Sequence, residues 1–524
     1  MKKIVAVLSA ASLSTYCALQ FSPSFQDVCN SFTLVRSTRT IRTVGTIAID
    51  YKILSFRFRD ETDEYFEQLS IVHKRCAKRL LKLCILNRGC FLKIGQAIGS
   101  LSHLVPEEYI KTLSVLQENA PFTPFNYIKS VIEDDVGQPF HEIFSEFDET
   151  PLGAASIAQV HKAVLLSGEV VAVKVHHPGV NEQYYGDIGI VEKLTSAMSS
   201  LFPNFQLGFI TDQLRINIAK ELDFVEEVAN CEKVTELLKA SPHFKLPKVH
   251  KQLCSNRIIV MEYCEGSRID DRVYLKNNNI NPEQVAYHIG ELYSKLIFDE
   301  GYVHCDPHPG NLKVNKTNNT LQIVLLDNAL YQNLDDEFRY NYSCLWLGLL
   351  KGNIDEITKA SKYFNSSDTS NLLAVIISGR TPNSIKQGLR NVQFSPEEIK
   401  EIKRQIPENL TAMANLLKNV PDDLYLILKA NRLLESLNET LGIRNRYISF
   451  IPLHRSCIHY KYKFERSKES NVYRKICLFA EEQIQILLFR SYLLMLDFSM
   501  RMNGLFKYLK FFTVYSSSVK ANLI

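Results

Sequence analysis

Four residues are spaced as in a site that binds nucleotide phosphates through a metal ion. Asp306 and Asn311 lie five positions apart in His304–Asn311 (HCDPHPGN), and Asp327 ends the apolar run that follows. Lys174 lies upstream on an apolar segment. Mg²⁺ prefers hard oxygen ligands, so Asn311 and Asp327 suit an ion that bridges the phosphates of ATP. Asp306 can orient an attacking hydroxyl group or take its proton, and Lys174 can hold the phosphates.

Each of these residues has a simpler explanation when taken alone. An Asp in a loop most often caps a turn, and a Lys on a strand most often reaches solvent. His304 and His308 are not a predicted metal pair, because i, i+4 ligands need a helix and Pro307 and Pro309 prevent one. The order and spacing of the whole set favour phosphotransfer.

The elements that must position these residues are readable from apolar patterns. Two β-branched runs joined at Ser167–Gly168 predict a hairpin that carries Lys174, and two further strands are predicted around the turn Ser255–Asn256. Helices are predicted over about 61–104 with a break at Asn87–Gly89, over 106–148 as two short helices, and over 181–200 and 211–240.

The second half of the chain reads as mainly helical around the acidic motif. A helix is predicted from Pro282 to Gly301, then two short strands, Leu312–Asn315 and Leu321–Leu326, and helices over about 335–450. A strand-rich block followed by a helix-rich block predicts an α+β fold with two lobes and a cleft between them.

Composition excludes several classes of protein. The 524 residues are 46% hydrophobic and 23% charged, which excludes a disordered chain, and no repeat of fixed period is visible. The formal net charge is only +4, which does not indicate the concentrated basic face of a nucleic-acid-binding protein, so we expect no nucleic-acid partner. The 12 Cys show neither a CxxC pair nor zinc spacing, and we expect free thiols in a reducing compartment.

The N-terminus is basic and then apolar. Lys2 and Lys3 precede the uncharged run Ile4–Phe21, and a Ser/Thr-rich stretch with several Arg follows. This pattern fits a secretory signal, a single membrane anchor or an organelle import sequence, and the residues alone leave these alternatives open.

Five motifs together resemble the AarF/UbiB family of atypical kinases, and within it a mitochondrial branch. They are KIGQ (Lys93–Gln96), GAASIAQVH (Gly153–His161), VAVKV (Val171–Val175), ELDF (Glu221–Phe224) and HCDPHPGN (His304–Asn311). The resemblance covers about residues 60–440. It implies a protein-kinase-like fold with an N-terminal helical KxGQ extension, with ATP and Mg²⁺ as cofactors.

The resemblance also assigns roles position by position. It implies that the catalytic residues are Asp306, Lys174 and the Lys partner Glu227, and that the metal ligands are Asn311 and Asp327. The implied nucleotide-binding residues are Gly153, Ala154, Ala155, Ser156, Lys174, Met261, Glu262 and Cys264. The implied regulatory KxGQ and ExD residues are Lys93, Gly95, Gln96, Glu221 and Asp223.

The KxGQ motif has a physical reading of its own. Lys93 has the apolar neighbours Leu92 and Ile94, where a lone buried charge is costly, and pairing with Glu221 or Asp223 would compensate. In the family this extension lies across the cleft where a protein substrate would dock. The resemblance therefore implies a small or lipid substrate, or ATP hydrolysis, and a mitochondrial setting in lipid or quinone metabolism or membrane organisation.

The chain departs from the family where Asp-Phe-Gly or Asp-His-Gly is usual. It has Asp327-Asn328-Ala329, which keeps the metal ligand and loses the Gly that lets the backbone switch. This keeps a second hypothesis open, a nucleotide-binding pseudokinase that acts by binding partners or lipids. A purely structural membrane protein leaves the motifs unexplained.

The predicted organisation has five parts. They are a targeting or anchoring segment (1–50), the KxGQ extension (51–148), an N-lobe with inserted ExD helices (149–265), a helical C-lobe with the catalytic loop (266–450) and a less regular basic-aromatic tail (451–524). The apolar end of that tail fits either an interfacial membrane helix or a helix packed on the kinase lobe.

Overall fold

The computed structural model describes most of the chain between residues 33 and 495. The described ranges are 33–58, 62–100, 105–117, 122–201, 208–306, 308–317, 319–366, 369–378, 380–386, 416, 420–443 and 448–495. The apolar run Ile4–Phe21 and the end of the predicted tail lie outside them. No helix within the described ranges has the length and apolar character needed to cross a bilayer.

The chain forms two compact units. The first comprises the described residues of Met1–Asn281, His304–Gln332 and Ser395–Leu433, and the second those of Pro282–Val303, Asn333–Phe394 and Leu434–Ile524. All the predicted site residues belong to the first unit.

The first unit contains two sheets. One has the order β1-β3-β4-β6 with β2 paired to β3, and its strands are β1 Phe144–Phe147, β2 Gly153–Ala154, β3 Ala158–Leu165, β4 Val170–His176 and β6 Ile258–Glu262. The other has the order β5-β10-β9-β7, with β5 Phe244–Lys245, β7 Ser267–Arg268, β9 Leu312–Thr317 and β10 Thr320–Leu325. The strands β8 Tyr302–His304 and β11 Tyr331–Asn333 have three residues each, and each has residues in both units.

The predicted hairpin β3–β4 is confirmed, and the alternation of side chains along β4 places Lys174 on one face of the sheet. Gly168 supplies the φ of +83° that the tight turn needs, which a residue with a Cβ adopts poorly. Val173 and Val175 are fully buried in one apolar cluster, and residues between them point to the opposite face. Lys174 therefore lies on the face that also carries Ala172.

The first unit also contains helices. They are α1 Thr33–Arg57, α2 Asp63–Asn87, α3 Cys90–Ser100, α4 Glu107–Leu113, α5 Phe125–Val136, α6 Phe140–Ile143, α7 Val180–Leu201, α8 Gly208–Glu221, α9 Phe224–Leu238 and α10 Arg272–Asn277. The predicted break after α2 is confirmed at Arg88 and Gly89, which both have positive φ. The boundary at residue 50 falls inside α1, whose Arg36 is buried against Asp187.

The second unit is mainly helical within its described residues. Its α11 Pro282–Ser294 continues as a π-helical turn to Glu300, and then come α12 Asp336–Lys351, α13 Ile354–Tyr363, α14 Ser370–Ser378, α15 Pro382–Lys386 and α17 Phe450–Lys468. The helix α16, Asp422–Thr440, crosses the division between the units. A further helix covers 472–495.

Three expectations about regular structure were wrong. The region 106–148, expected as two short helices, contains α4, α5 and α6 and ends in the strand β1. The first of the two strands expected around Ser255–Asn256 is absent: Val249 makes one isolated bridge to Met261, and Lys251–Leu253 is a 3₁₀ turn. The tail from 451 is regular in its described part, because Leu453, Cys457 and other buried side chains recur at helical spacing on α17.

Candidate functional site

A buried ion pair joins β4 to α9. Lys174 Nζ lies 2.6 Å and 2.8 Å from the two carboxylate oxygens of Glu227, and 3.4 Å from Asp327 Oδ2. The side chains of Lys174 and Glu227 are 11% and 4% exposed. Burial raises the pKa of Glu227 to about 7 despite the attraction of Lys174. Burial alone would lower the pKa of Lys174, but the two carboxylates outweigh it and raise that pKa.

Asp223 holds the start of the helix that carries Glu227. The helix α8 ends at Glu221 and α9 begins at Phe224. The Asp223 carboxylate accepts hydrogen bonds from the backbone N–H groups of Val225 and Glu226, which is an N-cap. Asp223 is thus not the partner of Lys93, and it positions the first turn of α9 instead.

A second, partly exposed ion pair joins α3 to the end of α8. Lys93 Nζ lies 2.6 Å from Glu221 Oε2, so the sequence prediction of this pairing holds for Glu221. Their side chains are 22% and 11% exposed. Burial would lower the pKa of Lys93, but Glu221 and then Asp306 outweigh it and raise that pKa. Lys93 is therefore electrostatically coupled to the predicted catalytic Asp.

The other residues of KIGQ fix the position of α3. A Cβ on Gly95 would lie 2.9 Å from Cys84 Sγ and would also collide with Leu116, so α3 packs closely on both. Gln96 Nε2 donates to the Leu116 carbonyl oxygen at 2.8 Å. Of the three predicted KxGQ residues, Lys93 reaches the acidic cluster, and Gly95 and Gln96 anchor its helix.

The predicted catalytic loop is closed by its own hydrogen bonds. Asn311 Nδ2 donates to the Asp306 carbonyl oxygen at 3.1 Å, and the His308 N–H donates to the same oxygen at 2.7 Å. His308 Nδ1 accepts from the Gly310 N–H at 3.1 Å. These bonds hold Asp306 and Asn311 on one short loop, and they confirm that His308 has a structural role in it.

Asp327 is fixed through its backbone and keeps its carboxylate partly exposed. His304 Nε2–H donates to the Asp327 carbonyl oxygen at 2.9 Å, and the Ala329 N–H donates to Asp327 Oδ1 at 3.1 Å. The Asp327 side chain is 37% exposed. Burial would raise its pKa, but Lys174 outweighs burial and lowers it, so the carboxylate is ionised at neutral pH.

The segment Gly153–Ser156 comprises β2 and the first residues of its connection to β3, and β3 in turn pairs with the strand that carries Lys174. Gly153 and Ala154 pair with β3, and His177 lies 3.1 Å from the Ala155 carbonyl oxygen through Nε2. Ser156 is 1% exposed, and its Oγ has no hydrogen-bond partner among the described residues. A buried hydroxyl of this kind is normally satisfied, so it suits a phosphate oxygen.

The predicted adenine linker, Met261–Cys264, begins in the last two residues of β6 and continues beyond its end. Met261 and Cys264 are buried, and the Glu262 carboxylate pairs with Lys245 at 2.5 Å. Lys313 Nζ donates to the Cys264 carbonyl oxygen at 3.0 Å. The Glu262 carboxylate is therefore already paired within the protein.

Three residues near the site were not predicted from the sequence. The Phe224 ring lies 5.1 Å from Lys174 Nζ and 3.8 Å from the His176 ring. Lys313 follows Asn311 by two positions, and that closeness to a predicted ligand was its one sequence signal. Asn328 is 2% exposed and bonded on three sides, although its position after Asp327 was noted only as a departure from the family.

The donor set fits ATP with Mg²⁺. Asn311 and Asp327 offer hard oxygen ligands, Lys174 is adjacent to Asp327, and Ser156 has the unsatisfied hydroxyl. Within the described ranges no group of three or more His, Cys, Asp and Glu side chains could hold a metal, so a zinc-type centre is not formed there. Two protein ligands suit Mg²⁺, which keeps several waters and binds phosphate oxygens.

Comparison with known proteins gives a consistent set of relatives. Residues 115–361 match the ABC1 atypical kinase-like domain. AarF domain-containing protein kinase 1 of Mus musculus is 40% identical over 448 residues, 85% of this chain and 85% of the mouse protein. The Xenopus tropicalis protein of that name is 39% identical over 91% of this chain and 92% of its own length. AarF domain-containing kinase 1 of Drosophila melanogaster is 38% identical over 84% and 86%.

Proposed function

Because the chain belongs to the ABC1, or AarF, family of atypical kinases, we propose that it is an ATP- and Mg²⁺-dependent phosphotransferase or ATPase. The observation that carries the proposal is the meeting of Lys174, Glu227 and Asp327 within hydrogen-bond distance, from parts of the sequence far apart. Lys, Glu and Asp in this arrangement are what phosphoryl transfer by kinases requires.

Each residue of the set has a task in this proposal. Lys174 holds the α- and β-phosphates, and Glu227 holds Lys174 in place. Asn311 and Asp327 hold Mg²⁺, which neutralises phosphate charge during transfer. Asp306 orients the attacking hydroxyl group or water and takes its proton. The Asn311 side chain fixes the Asp306 backbone, so the two roles depend on one loop.

The substrate class follows from α3. Lys93 on the KxGQ helix is paired with Glu221, and the Asp306 carboxylate helps to raise the pKa of Lys93. This supports a small or lipid acceptor, or water, over a bulky protein chain. Together with the resemblance, it supports a role in mitochondrial lipid or quinone metabolism or membrane organisation, at or near a membrane.

A pseudokinase that binds nucleotide and acts through partners or lipids is the second candidate. The observation in its favour is Asp327-Asn328-Ala329, which lacks the Gly of the family motif. The presence of Lys174, Asp306 and Asn311 weighs against it.

The test is nucleotide binding and turnover by the full chain. Thermal unfolding is measured with ATP, with and without Mg²⁺, beside release of phosphate. A ligand at 100 times its Kd stabilises a protein by about 2.7 kcal/mol, so binding should be visible. We expect Mg²⁺-dependent stabilisation and turnover that Asp327→Asn abolishes, and that Asp355→Asn, at an exposed position on α13, leaves intact.

The outcomes separate the candidates. Turnover that Asp327→Asn leaves unchanged defeats the assignment of the metal ligand. Stabilisation by ATP without phosphate release, even with membranes present, favours the pseudokinase.

A further inference from the structure

Asn328 is hydrogen-bonded through backbone and side chain alike. Its N–H donates to Glu227 Oε1 at 3.4 Å, and its carbonyl oxygen accepts from Asn230 Nδ2 at 3.1 Å. Its Oδ1 accepts from the Tyr331 hydroxyl at 2.9 Å. At 2% exposure these bonds are shielded from water, where losing one leaves a costly unsatisfied group.

Two of the three bonds lead to the helix that holds Lys174. Glu227 and Asn230 are three residues apart on α9, and therefore lie on one face of it. Asn328 thus connects the predicted metal ligand next to it with the carboxylate that positions Lys174. A shift of the segment at 328 would disturb both.

The segment is also held on its other side. The Asp327 carbonyl oxygen accepts from His304, and the Leu330 carbonyl oxygen accepts from the Cys305 N–H at 2.9 Å. The His304 and Tyr331 rings pack edge to face at 5.2 Å. Hydrogen bonds from the catalytic loop on one side and from α9 on the other therefore hold the segment Asp327–Leu330 in place.

Ala329 fits this arrangement without strain. It is 4% exposed and is not among the described residues with positive φ, so the backbone here does not need Gly. A rearrangement that required positive φ at this position would be unfavourable for Ala. The substitution of the family Gly leaves the observed arrangement intact and disfavours alternatives to it.

We propose that Asn328 is a positioning residue that locks Asp327 and Glu227 into one arrangement. The hydrogen bonds of Asn328 replace a switchable glycine hinge, and the metal site is set without a conformational step. This inference rests on the proposed Mg²⁺·nucleotide function. It goes beyond it by making Asn328, Tyr331 and Asn230 determinants of metal affinity.

The experiment removes the same bond from each end. Asn328→Ala and Tyr331→Phe both delete the bond at Oδ1, and Asn230→Ala deletes the bond to the carbonyl oxygen. In the full chain we expect the Mg²⁺ concentration for half-maximal turnover to rise about 10- to 100-fold, as for other residues that orient metal ligands. Binding of ATP in EDTA should change less than about threefold. Asn278→Ala, at an exposed Asn on another loop, is the matched control.

The double variant tests the mechanism. Because both substitutions remove one bond, Asn328→Ala with Tyr331→Phe should cost no more than the larger single effect. The inference is overturned if all variants keep the wild-type Mg²⁺ dependence of turnover. It is also overturned if nucleotide binding falls equally with and without Mg²⁺ and the melting temperature falls too, because that result indicates a merely structural role. If the wild-type chain shows no Mg²⁺-dependent binding of nucleotide, the proposed function is wrong, and the positioning role of Asn328 that rests on it is wrong as well.

Discussion

Two Lys–Glu pairs of equal length serve different ends. The pairs Lys174–Glu227 and Lys93–Glu221 both close at 2.6 Å, and their Glu residues lie six positions apart on consecutive helices. The Lys174 pair is the more deeply buried, and Lys174 also contacts Asp327. The Lys93 pair is more exposed, and its Lys comes from the N-terminal extension.

The two ion pairs support different parts of the site. Lys174 balances two carboxylates that cannot be left buried without a cation, so its pair holds the site together. Lys93 adds positive charge beside Asp306 and ties α3 to the site. We therefore expect the first pair to control assembly of the site and the second to control access and metal dependence.

The largest effect is expected for Lys174→Met, which tests the difference between the two pairs most directly. It leaves Glu227 and Asp327 without their shared cation, and removal of one partner of a buried pair costs about 3–5 kcal/mol. We expect loss of ATP turnover and a large fall in melting temperature. The double variant Lys174→Met with Glu227→Leu should recover most of the stability and none of the turnover. Turnover that survives in either variant contradicts the assignment of Lys174.

Lys93→Met should have a smaller effect of a different kind. The pair is partly exposed, so we expect a loss of about 1–2 kcal/mol of unfolding free energy, below the range for fully buried pairs. ATP binding should persist, while the Mg²⁺ dependence of turnover shifts because a charge beside Asp306 is gone. Lys78→Met, on the exposed face of α2, is the control. Loss of ATP binding equal to that of Lys174→Met would erase the distinction between the pairs.

Asp223→Ala tests whether the cap of α9 supports the Lys174 pair. Loss of an N-cap costs about 0.5–2 kcal/mol. We expect this fall in unfolding free energy together with weaker ATP binding, because the capped turn presents Glu227. Asp223→Asn keeps an accepting oxygen and should stay close to the wild type. A fall in stability with unchanged ATP binding would show that the cap and the pair are independent.

The smallest effect is expected at Gly95. Ala is favoured over Gly in a helix by up to about 1 kcal/mol, but a Cβ here collides with Cys84 and Leu116, and overpacking costs about 1–3 kcal/mol. We expect Gly95→Ala to be about 1–2 kcal/mol less stable than Gly45→Ala, where nothing lies within 4 Å of the new Cβ. Chemical denaturation of both variants measures the difference. Equal stabilities would mean that α3 adjusts without cost.

The parts of the site that are local in sequence could be predicted. The loop His304–Asn311 and the strands after it follow from short-range spacing, turn residues and apolar runs, and the structure has them as expected. The pairing of Lys174 with Glu227, 53 residues away, came from the family resemblance, because spacing alone does not bring two such residues together.

The misses have physical reasons. Of the two partners expected for Lys93, Glu221 is confirmed and Asp223 is not, and Asp223 followed three residues later by Glu226 is a helix-start signal that favours a cap. The strand expected before Ser255–Asn256 is absent because Lys251–Leu253 forms a 3₁₀ turn, which leaves Val249 with a single bridge to Met261. The lock at Asn328 depends on tertiary contacts with Asn230, which no local pattern reveals.

The break between α8 and α9 has a consequence for how the length of this chain can vary. Glu221 ends one helix and Glu227 lies in the first turns of the next, and each must meet a Lys from a different part of the fold. One residue inserted between Phe224 and Glu227 would turn Glu227 by about 100° about the axis of α9 and carry it away from Lys174. The number of residues between Glu221 and Glu227 is therefore constrained by the two ion pairs. We expect insertions and deletions to be accepted in the turn between β9 and β10, and to be rejected here.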